Sequence, residues 1–284
     1  MNSRQKHYEP KLYYDFHKLS KTHPDLTKFF NIDPISKQPR FKFTTESTNL
    51  LFKYILLDEL NIDVLELQTD HLCPVIPSRI QYLLNVKEVL VDSGLLRTES
   101  PNDESIRGID IGTGYYGIYA LLAYALFKWS MIGTDIDEQA LRNLDRILIK
   151  NGLTDAIKTC HSDLFNGVMI DGQKLVHFTI CNPPFYGSEE ELKLAYQEKG
   201  FKSTEHALVI GSDSELIYKG RSSIPGHEGN IGELGFVQNM IDESYKLRDK
   251  IVWFSSIVSK KSNIKRLVDY LSQDGTPVPH KTNN

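Results

Sequence analysis

Cysteine is scarce in this chain. Cys73, Cys160 and Cys181 are the only three in 284 residues. An odd number without CxxC spacing excludes a disulfide framework and offers no zinc-ligand pattern. A reducing compartment and a metal-free protein follow as expectations. An excess of one charge is missing too: 33 Lys and Arg against 37 Asp and Glu leave a net charge of −4. That excludes a global nucleic-acid footprint, so any basic surface has to be local. No apolar run reaches the roughly 18 residues of a membrane span, and the N-terminus shows no signal-peptide core. The most apolar stretch, Ile118–Phe127 (IYALLAYALF), is too short to span and reads as a buried helix. No internal repeat is visible. What remains is a globular composition, 40% hydrophobic, with the length for a large core.

The first forty residues are where basic character gathers. Arg4, Lys6, Lys11, Lys18, Lys21, Lys28, Lys37 and Arg40 outnumber Glu9, Asp15, Asp25 and Asp33, and Tyr8, Tyr13, Tyr14, Phe16, Phe29 and Phe30 are interleaved. Basic plus aromatic side chains suit single-stranded nucleic acid; a solvated N-terminal arm fits equally well. Short helical pieces are expected at Leu12–Leu19 and Asp25–Phe30, and an amphipathic helix at Thr45–Leu60 with Leu50, Leu51, Tyr54, Ile55 and Leu57 on one side. Cys73-Pro74-Val75-Ile76-Pro77 is a rigid connector, after which Ser78 is expected to cap a helix over Arg79–Ser93. Arg79 opposes the dipole there. It is either an exposed cation or one aimed at an anion.

From Arg107 the pattern alternates strand and helix. Strands are expected at 108–111, 130–134, 157–160, 176–181 and 251–257, and helices at 118–127, 137–151, 233–248 and 261–272. Such alternation implies an α/β fold with a mostly parallel, twisted sheet and helices on both faces, whose ligand site lies at the carboxyl ends of the strands. Gly112, Asp135, Asp163 and Asn182 each fall just past a strand end, and Lys260 and Lys261 follow the last strand. Residues 187–232 read as a long insertion. The expected division is an N-terminal extension, 1–78, and a sheet domain, 79–284.

Two stretches carry chemistry. Gly112-Thr113-Gly114-Tyr115-Tyr116-Gly117 satisfies the glycine fingerprint of dinucleotide sites, with Asp135 placed for a ribose. Asp110, two residues upstream, would repel a pyrophosphate but suits a cationic amino group, as in S-adenosylmethionine. The second stretch is Asn182-Pro183-Pro184-Phe185. Its prolines forbid helix and sheet continuation. It is either a turn that merely ends a strand or a holder for a planar amine. In the latter case Asn182 and the Pro183 carbonyl accept hydrogens and Phe185 stacks on the ring. Taken together these residues read as an adenosylmethionine-dependent methyltransferase. Asp110, Gly112 and Gly114 would take the methionine part, Asp135 the ribose and Asp163 the adenine.

With Cys73–Arg79, Arg107–Gly114 (RGIDIGTG), Cys181–Phe185 (CNPPF), Gly232–Phe236 (GELGF) and Trp253–Lys261 (WFSSIVSKK), the chain resembles one family over residues 10–272. That family joins eukaryotic methyltransferase-like protein sixteen, which modifies U6 snRNA, to the bacterial 23S rRNA adenine-N(6) methyltransferase RlmF. The resemblance implies a Rossmann-like class I methyltransferase fold with an N-terminal helical extension. It also implies donor contacts from Arg79, Gly112, Asp135 and Asn182, an adenine held by Asn182–Phe185, and RNA contacts from the arm (Lys6, Lys11, Lys18) and from Lys260 and Lys261. It implies N(6)-methylation of adenine in a structured RNA, with a lean toward U6 snRNA and hence the nucleus; the bacterial branch would mean rRNA and the cytoplasm. A monomer without membrane association is expected. The family's final antiparallel edge strand has no counterpart after Ser272. Protein glutamine N(5)-methylation and a catalytically idle RNA-binding module stay open as alternatives.

Overall fold

The structure, a computed structural model, describes residues 14–64, 75–97, 102–165, 175–188, 190, 191, 194, 232–272 and 282. Lys6, Lys11, Cys73 and most of the expected insertion lie outside them. Five strands form one parallel sheet: β3 (Arg107–Ile111), β4 (Ser130–Asp135), β5 (Ile157–His161), β6 (Val176–Cys181) and β7 (Ile251–Trp253), in the order β5-β4-β3-β6-β7. β3 and β6 are neighbours in space but not in sequence, so the strand order reverses between them. Ligands of doubly wound sheets sit at that switch point.

On one face of the sheet α3 (Ile76–Asp92), α4 (Ile118–Phe127) and α5 (Glu138–Asn151) bury Leu83, Leu121, Leu122 and Leu144 against Met131, Phe178 and Ile180. On the other, α6 (Gly232–Leu247) packs Met240 against Ile109, Ile111 and Ile251. The helix α7 (Lys261–Leu271) closes that side through Leu267 against Leu234, Val237 and Ile241. The alternation inferred from the sequence is therefore the alternation observed. α4 has its expected ends, and α5 is capped at Asp137, which accepts from Gln139 N, and stops at Gly152.

The N-terminal elements are α1 (Phe16–Thr22), a 3₁₀ turn (Pro24–Phe29), a hairpin β1 (Phe30–Ile32) with β2 (Pro39–Phe41), and α2 (Thr45–Leu60). The hairpin went unread because each strand is three residues long. Its turn is held by Asp33 Oδ1, which accepts from Ile35 N and Ser36 N at 3.0 and 2.8 Å. The aromatic residues of this region largely pack on one another: Phe41 lies 5.0 Å from Phe16 and 5.1 Å from Phe30. The buried stripe of α2 is Leu51, Phe52, Ile55 and Leu56: it keeps Leu51 and Ile55 of the expected side, adds Phe52 and Leu56, and leaves Leu57 turned outward. Leu26, Phe52 and Leu56 belong to the same buried cluster as Leu121 and Phe178, so extension and sheet share a core.

α1 runs to Thr22, past its expected end at Leu19, and two later boundaries differ as well. α3 starts at Ile76 with Pro77 in its first turn, and Val75, not Ser78, is the N-cap. Proline's fixed φ and missing N–H suit that first turn, so the helix begins before it. Ser78 Oγ instead donates back to Val75 O at 2.8 Å. β7 ends at Trp253 rather than continuing to Ile257. Beyond it Ser255 replaces strand pairing with side-chain bonds: its N–H donates to Thr179 Oγ1 at 3.2 Å, and its hydroxyl to Thr179 O at 2.5 Å.

The segment after α2 is clipped to α5 by one amide. Asn151 Oδ1 accepts from Asp63 N, and Asn151 Nδ2 donates to Asp63 O, both at 2.8 Å. Asn151→Ala should destabilise the protein by roughly 1–3 kcal/mol, since two paired backbone groups lose their partner. Urea denaturation should show a lower midpoint with an unchanged slope.

Candidate functional site

The site is assembled at the switch point by register. Ile111 of β3 lies opposite Cys181 of β6. The next residue on each strand is Gly112 on one side and Asn182 on the other, so the glycine loop and the NPPF turn leave the sheet side by side. β4, paired with β3 through Ile111↔Thr134, brings Asp135 to the same level.

In the glycine loop Gly112 and Gly114 have φ of +66° and +68°, a region L side chains rarely adopt. A Cβ built on Gly112 would meet nothing within 4 Å, so that backbone faces open space. Asp135 locks the loop: its Oδ2 accepts from Gly114 N at 2.8 Å and its Oδ1 from Asp137 N at 3.0 Å. Each carboxylate oxygen keeps a further acceptor position. Burial raises the pKa of Asp135 despite these bonds.

Asp110 is wholly buried. Its Oδ2 accepts from Thr113 Oγ1 at 2.7 Å, while Oδ1 has no hydrogen-bond partner. Burial pushes its pKa up to about 7, with the help of the Asp135 charge and against the lowering effects of the Thr113 hydroxyl, the Ala120 amide and the Arg79 cation. A buried carboxylate oxygen that makes no full hydrogen bond, beside open glycine backbone, fits a cationic, hydrogen-bonding ligand such as the ammonium of the methionine part.

Arg79 reaches in from the first turn of α3. Its Nη1 donates to Tyr119 Oη at 3.1 Å and to Asn182 Oδ1 at 3.2 Å. The guanidinium also lies 5.4 Å from the Tyr119 ring centroid, and its Nε is buried without a partner. Of the two readings of Arg79, the exposed cation is excluded.

The NPPF turn is held from behind. Ile257 N donates to Cys181 O at 2.9 Å, and Cys181 N to Tyr82 Oη at 3.4 Å. Tyr82 is partly buried, with its hydroxyl 2.9 Å from Ser255 Oγ, and desolvation of that hydroxyl raises its pKa well above the usual tyrosine value. Pro183 is buried, whereas Asn182, Pro184 and Phe185 are part-exposed and so accessible. Glu233 N donates to Phe185 O at 3.4 Å. At Gly232 a Cβ would fall within 3.0 Å of Phe185 O, Tyr186 and Gly187, which explains the glycine before that glutamate.

Glu233 is 1% exposed. Its carboxylate accepts from Ser259 N at 2.5 Å, from Ser259 Oγ, from Lys260 N at 3.3 Å and from Asn263 Nδ2 at 2.9 Å. It therefore fastens the loop after β7 to the helix behind the acceptor turn. Sequence reasoning gave Glu233 no role, because an acid in a first helical turn is an ordinary dipole partner. Nothing in the sequence marks its burial. Tyr82 and Tyr119 were missed likewise: each reads as a core aromatic of its helix.

The remaining expected residues are spread around the rim. Asp163 is exposed beyond β5, whose end meets β4 through Ser162 N and Asp135 O at 2.9 Å. Lys260 forms an ion pair with Glu191, whose other oxygen accepts from Gly187 N at 2.7 Å. Lys261 begins α7 and is exposed, as is Lys18 on α1. Among the described residues no group of three or more His, Cys, Asp or Glu could hold a metal ion, and no helix is long and apolar enough to cross a membrane.

Comparison with known proteins bears on what this site does. Residues 1–283 match a family described as RNA methyltransferase. The "Ribosomal RNA large subunit methyltransferase F" of Pseudomonas putida KT2440 is 32% identical over 271 residues, covering 92% of this chain and 82% of that protein. The protein of the same name from Pseudoalteromonas translucida is 32% identical over 262 residues, covering 92% and 81%. Among solved structures, the hMettl16 catalytic domain with a MAT2A 3′UTR hairpin aligns at a TM-score of 0.71 and 25% identity, covering 98% of this chain and 88% of that one. The N-terminal domain of human METTL16 with SAH aligns at 0.68 and 23% identity, a likeness of fold, covering 98% and 91%.

Two outcomes follow from the burial of Asp110 and the bonds of Glu233. The folded state binds a proton at Asp110 more tightly than the unfolded chain, so the charge of Asp110 costs stability progressively from about pH 4 to about pH 7 and by a constant amount above. Asp110→Asn should therefore raise the Tm of the ligand-free protein by several degrees at pH 8 and by little at pH 4, as scanning calorimetry across that range would show. Glu233→Ala should leave the amides of Ser259 and Lys260 without their acceptor, at a cost of about 1–3 kcal/mol. Their hydrogen exchange should quicken roughly ten- to a hundredfold, while exchange in β3 and β4 stays as in the wild type.

Proposed function

Because the chain belongs to the RNA methyltransferase family, we propose that it transfers a methyl group from S-adenosylmethionine to N(6) of an adenine in large-subunit ribosomal RNA. The Rossmann-like class I methyltransferase fold is shared with METTL16. The observation that carries the reading is the juxtaposition set by Ile111↔Cys181: a half-exposed Asn182–Phe185 turn beside Asp110 and the open face of Gly112.

In this reading Asp110 Oδ1 takes the donor's ammonium, the backbone of Gly112 and Gly114 borders its amino-acid part, and Arg79 faces its carboxylate. Asp135 takes the ribose hydroxyls and Asp163 lies on the adenine side. When bound, the donor supplies an electrophilic methyl on a sulfonium. The chain's own residues shape the acceptor. An exocyclic amine is a poor nucleophile because its lone pair is delocalised into the ring. Asn182 Oδ1 and the Pro183 carbonyl accept its two hydrogens and draw the nitrogen toward a tetrahedral geometry, in line with the methyl. The paired prolines keep both acceptors fixed. Phe185 replaces the stacking that the extruded base loses. As the C–N bond forms the S–C bond breaks, leaving S-adenosylhomocysteine and a cationic nitrogen whose extra proton passes to solvent, so no general base of low pKa is required.

The leaning of the sequence toward U6 snRNA and a nuclear location gives way here to the ribosomal branch, because the 32% identical relatives carry ribosomal names and cover more than 90% of the chain. Cytoplasmic location goes with that substrate. RNA contact is assigned to the extension, residues 1–78, where Lys18, Arg40 and Phe43 are exposed, and to Lys261. Lys260, already paired with Glu191, orders the acceptor-side loop at least as much as it meets phosphate.

Methyl transfer from labelled adenosylmethionine to total RNA tests this, followed by nucleoside analysis. Labelled N(6)-methyladenosine should appear in large-subunit rRNA. Asn182→Ala should reduce the label below detection while S-adenosylhomocysteine still binds in calorimetry. Wild-type turnover in that variant would sink the scheme. Label in U6 snRNA would move the substrate to the other branch; no label in RNA, with label in protein glutamine when a cell extract replaces the RNA, would move it out of RNA.

A further inference from the structure

Resting on that reading, we infer that Arg79 gates the acceptor site: in the absence of donor it occupies the Asn182 amide oxygen, and the donor's carboxylate withdraws it. Arg79 Nη1 lies 3.2 Å from Asn182 Oδ1, the atom the target amine has to reach. The same guanidinium is close enough to Asp110 to lower its pKa, so one cation borders both the donor and the acceptor position.

Two features indicate that this arrangement is one state of two. First, the guanidinium is incompletely satisfied: Nη1 bonds two neutral oxygens, Tyr119 Oη and Asn182 Oδ1, while Nε is buried without a partner. A carboxylate accepts two parallel guanidinium N–H bonds and adds the attraction of opposite charges, neither of which a neutral amide oxygen supplies. The α-carboxylate of a donor whose ammonium sits at Asp110 would thus outcompete the amide. Second, a cation on Asn182 Oδ1 opposes the reaction. It draws electron density from the oxygen that must accept the amine hydrogen, and it repels the positive charge that grows on the nitrogen as the methyl arrives. Pairing with a carboxylate removes both effects. The oxygen's second lone pair does not relieve the conflict, because the repulsion remains while the guanidinium stays.

Donor and acceptor base therefore bind with positive coupling carried by one side chain, and the coupling is reciprocal. Tyr119, whose hydroxyl accepts from Arg79 and whose ring lies under the guanidinium, is the pivot on which the side chain turns.

The test is binding at equilibrium, without turnover. The affinity of a fluorescent oligoadenylate RNA is measured on the full chain alone, with saturating S-adenosylhomocysteine, and with saturating 5′-methylthioadenosine, which keeps the nucleoside but lacks the amino acid. Calorimetry confirms that each nucleoside is bound. S-adenosylhomocysteine should tighten oligoadenylate binding by about five- to twentyfold, and 5′-methylthioadenosine should leave it unchanged. Arg79→Met, which keeps an apolar stem, should bind oligoadenylate tightly in all three conditions. The comparison of the two nucleosides on wild-type protein decides the matter even where the variant folds poorly. Bound S-adenosylhomocysteine with unaltered oligoadenylate affinity, or equal tightening by both nucleosides, would overturn the gate and leave the methyltransferase reading standing. Failure to bind S-adenosylhomocysteine at all would overturn both.

Discussion

The register of β6 on β3 is the constraint from which the rest of the site follows. Hydrogen bonding sets Ile111 opposite Cys181, and side chains alternate faces along each strand. Asp110 is thereby turned toward α3 and α4, while Ile109 and Ile111 fill the opposite layer under α6. The same register lets the glycine loop and the proline turn leave the sheet as neighbours. A slip by one residue would exchange the faces and bury isoleucine where the carboxylate belongs.

On that scaffold the site is built from charges kept out of water and only partly matched. Asp110 and Asp135 are both raised by burial, and Arg79 is the nearby cation. In a protein whose net charge is only −4, such concentration is local work. The unbonded Oδ1 of Asp110 and Nε of Arg79 are costs that the empty fold carries, and an amino-acid ligand with one charge of each sign relieves both. In the proposed reading, donor recognition rests on these two opposite deficits held close together.

The fold was legible because its signals are local. The apolar run 118–127, the cap Asp137, the stop Gly152 and the β-rich strands each report on themselves, and α4 and β6 have their expected ends. The hairpin at Phe30–Phe41 was not legible, since three-residue strands carry no period. Nor was the early start of α3, where two prolines read as a connector. Of the site, Asp110, Asp135 and Asn182 could be found from spacing: Asp110 lies two residues before the glycine loop, Asp135 ends β4, and Asn182 follows β6 directly before two prolines. Glu233, Tyr82 and Tyr119 could not. Their parts depend on which loops come back to meet them, and that is information of the tertiary fold rather than of any window of sequence. Arg79 was half legible: its awkward place at a helix start was visible, its contact with Asn182 over a separation of 103 residues was not.

The way Glu233 is satisfied also bears on how this protein can change over generations. Two of its donors, Ser259 N and Lys260 N, belong to the main chain. A backbone amide is carried by every residue but proline. The loop bordering the acceptor turn can therefore exchange its side chains, and with them the surface it offers to nucleic acid, without surrendering the anchor that holds it in place. Drift is cheap on the outer side of this loop and expensive at one buried glutamate, a division that leaves the turn it borders fixed while the surface around it changes.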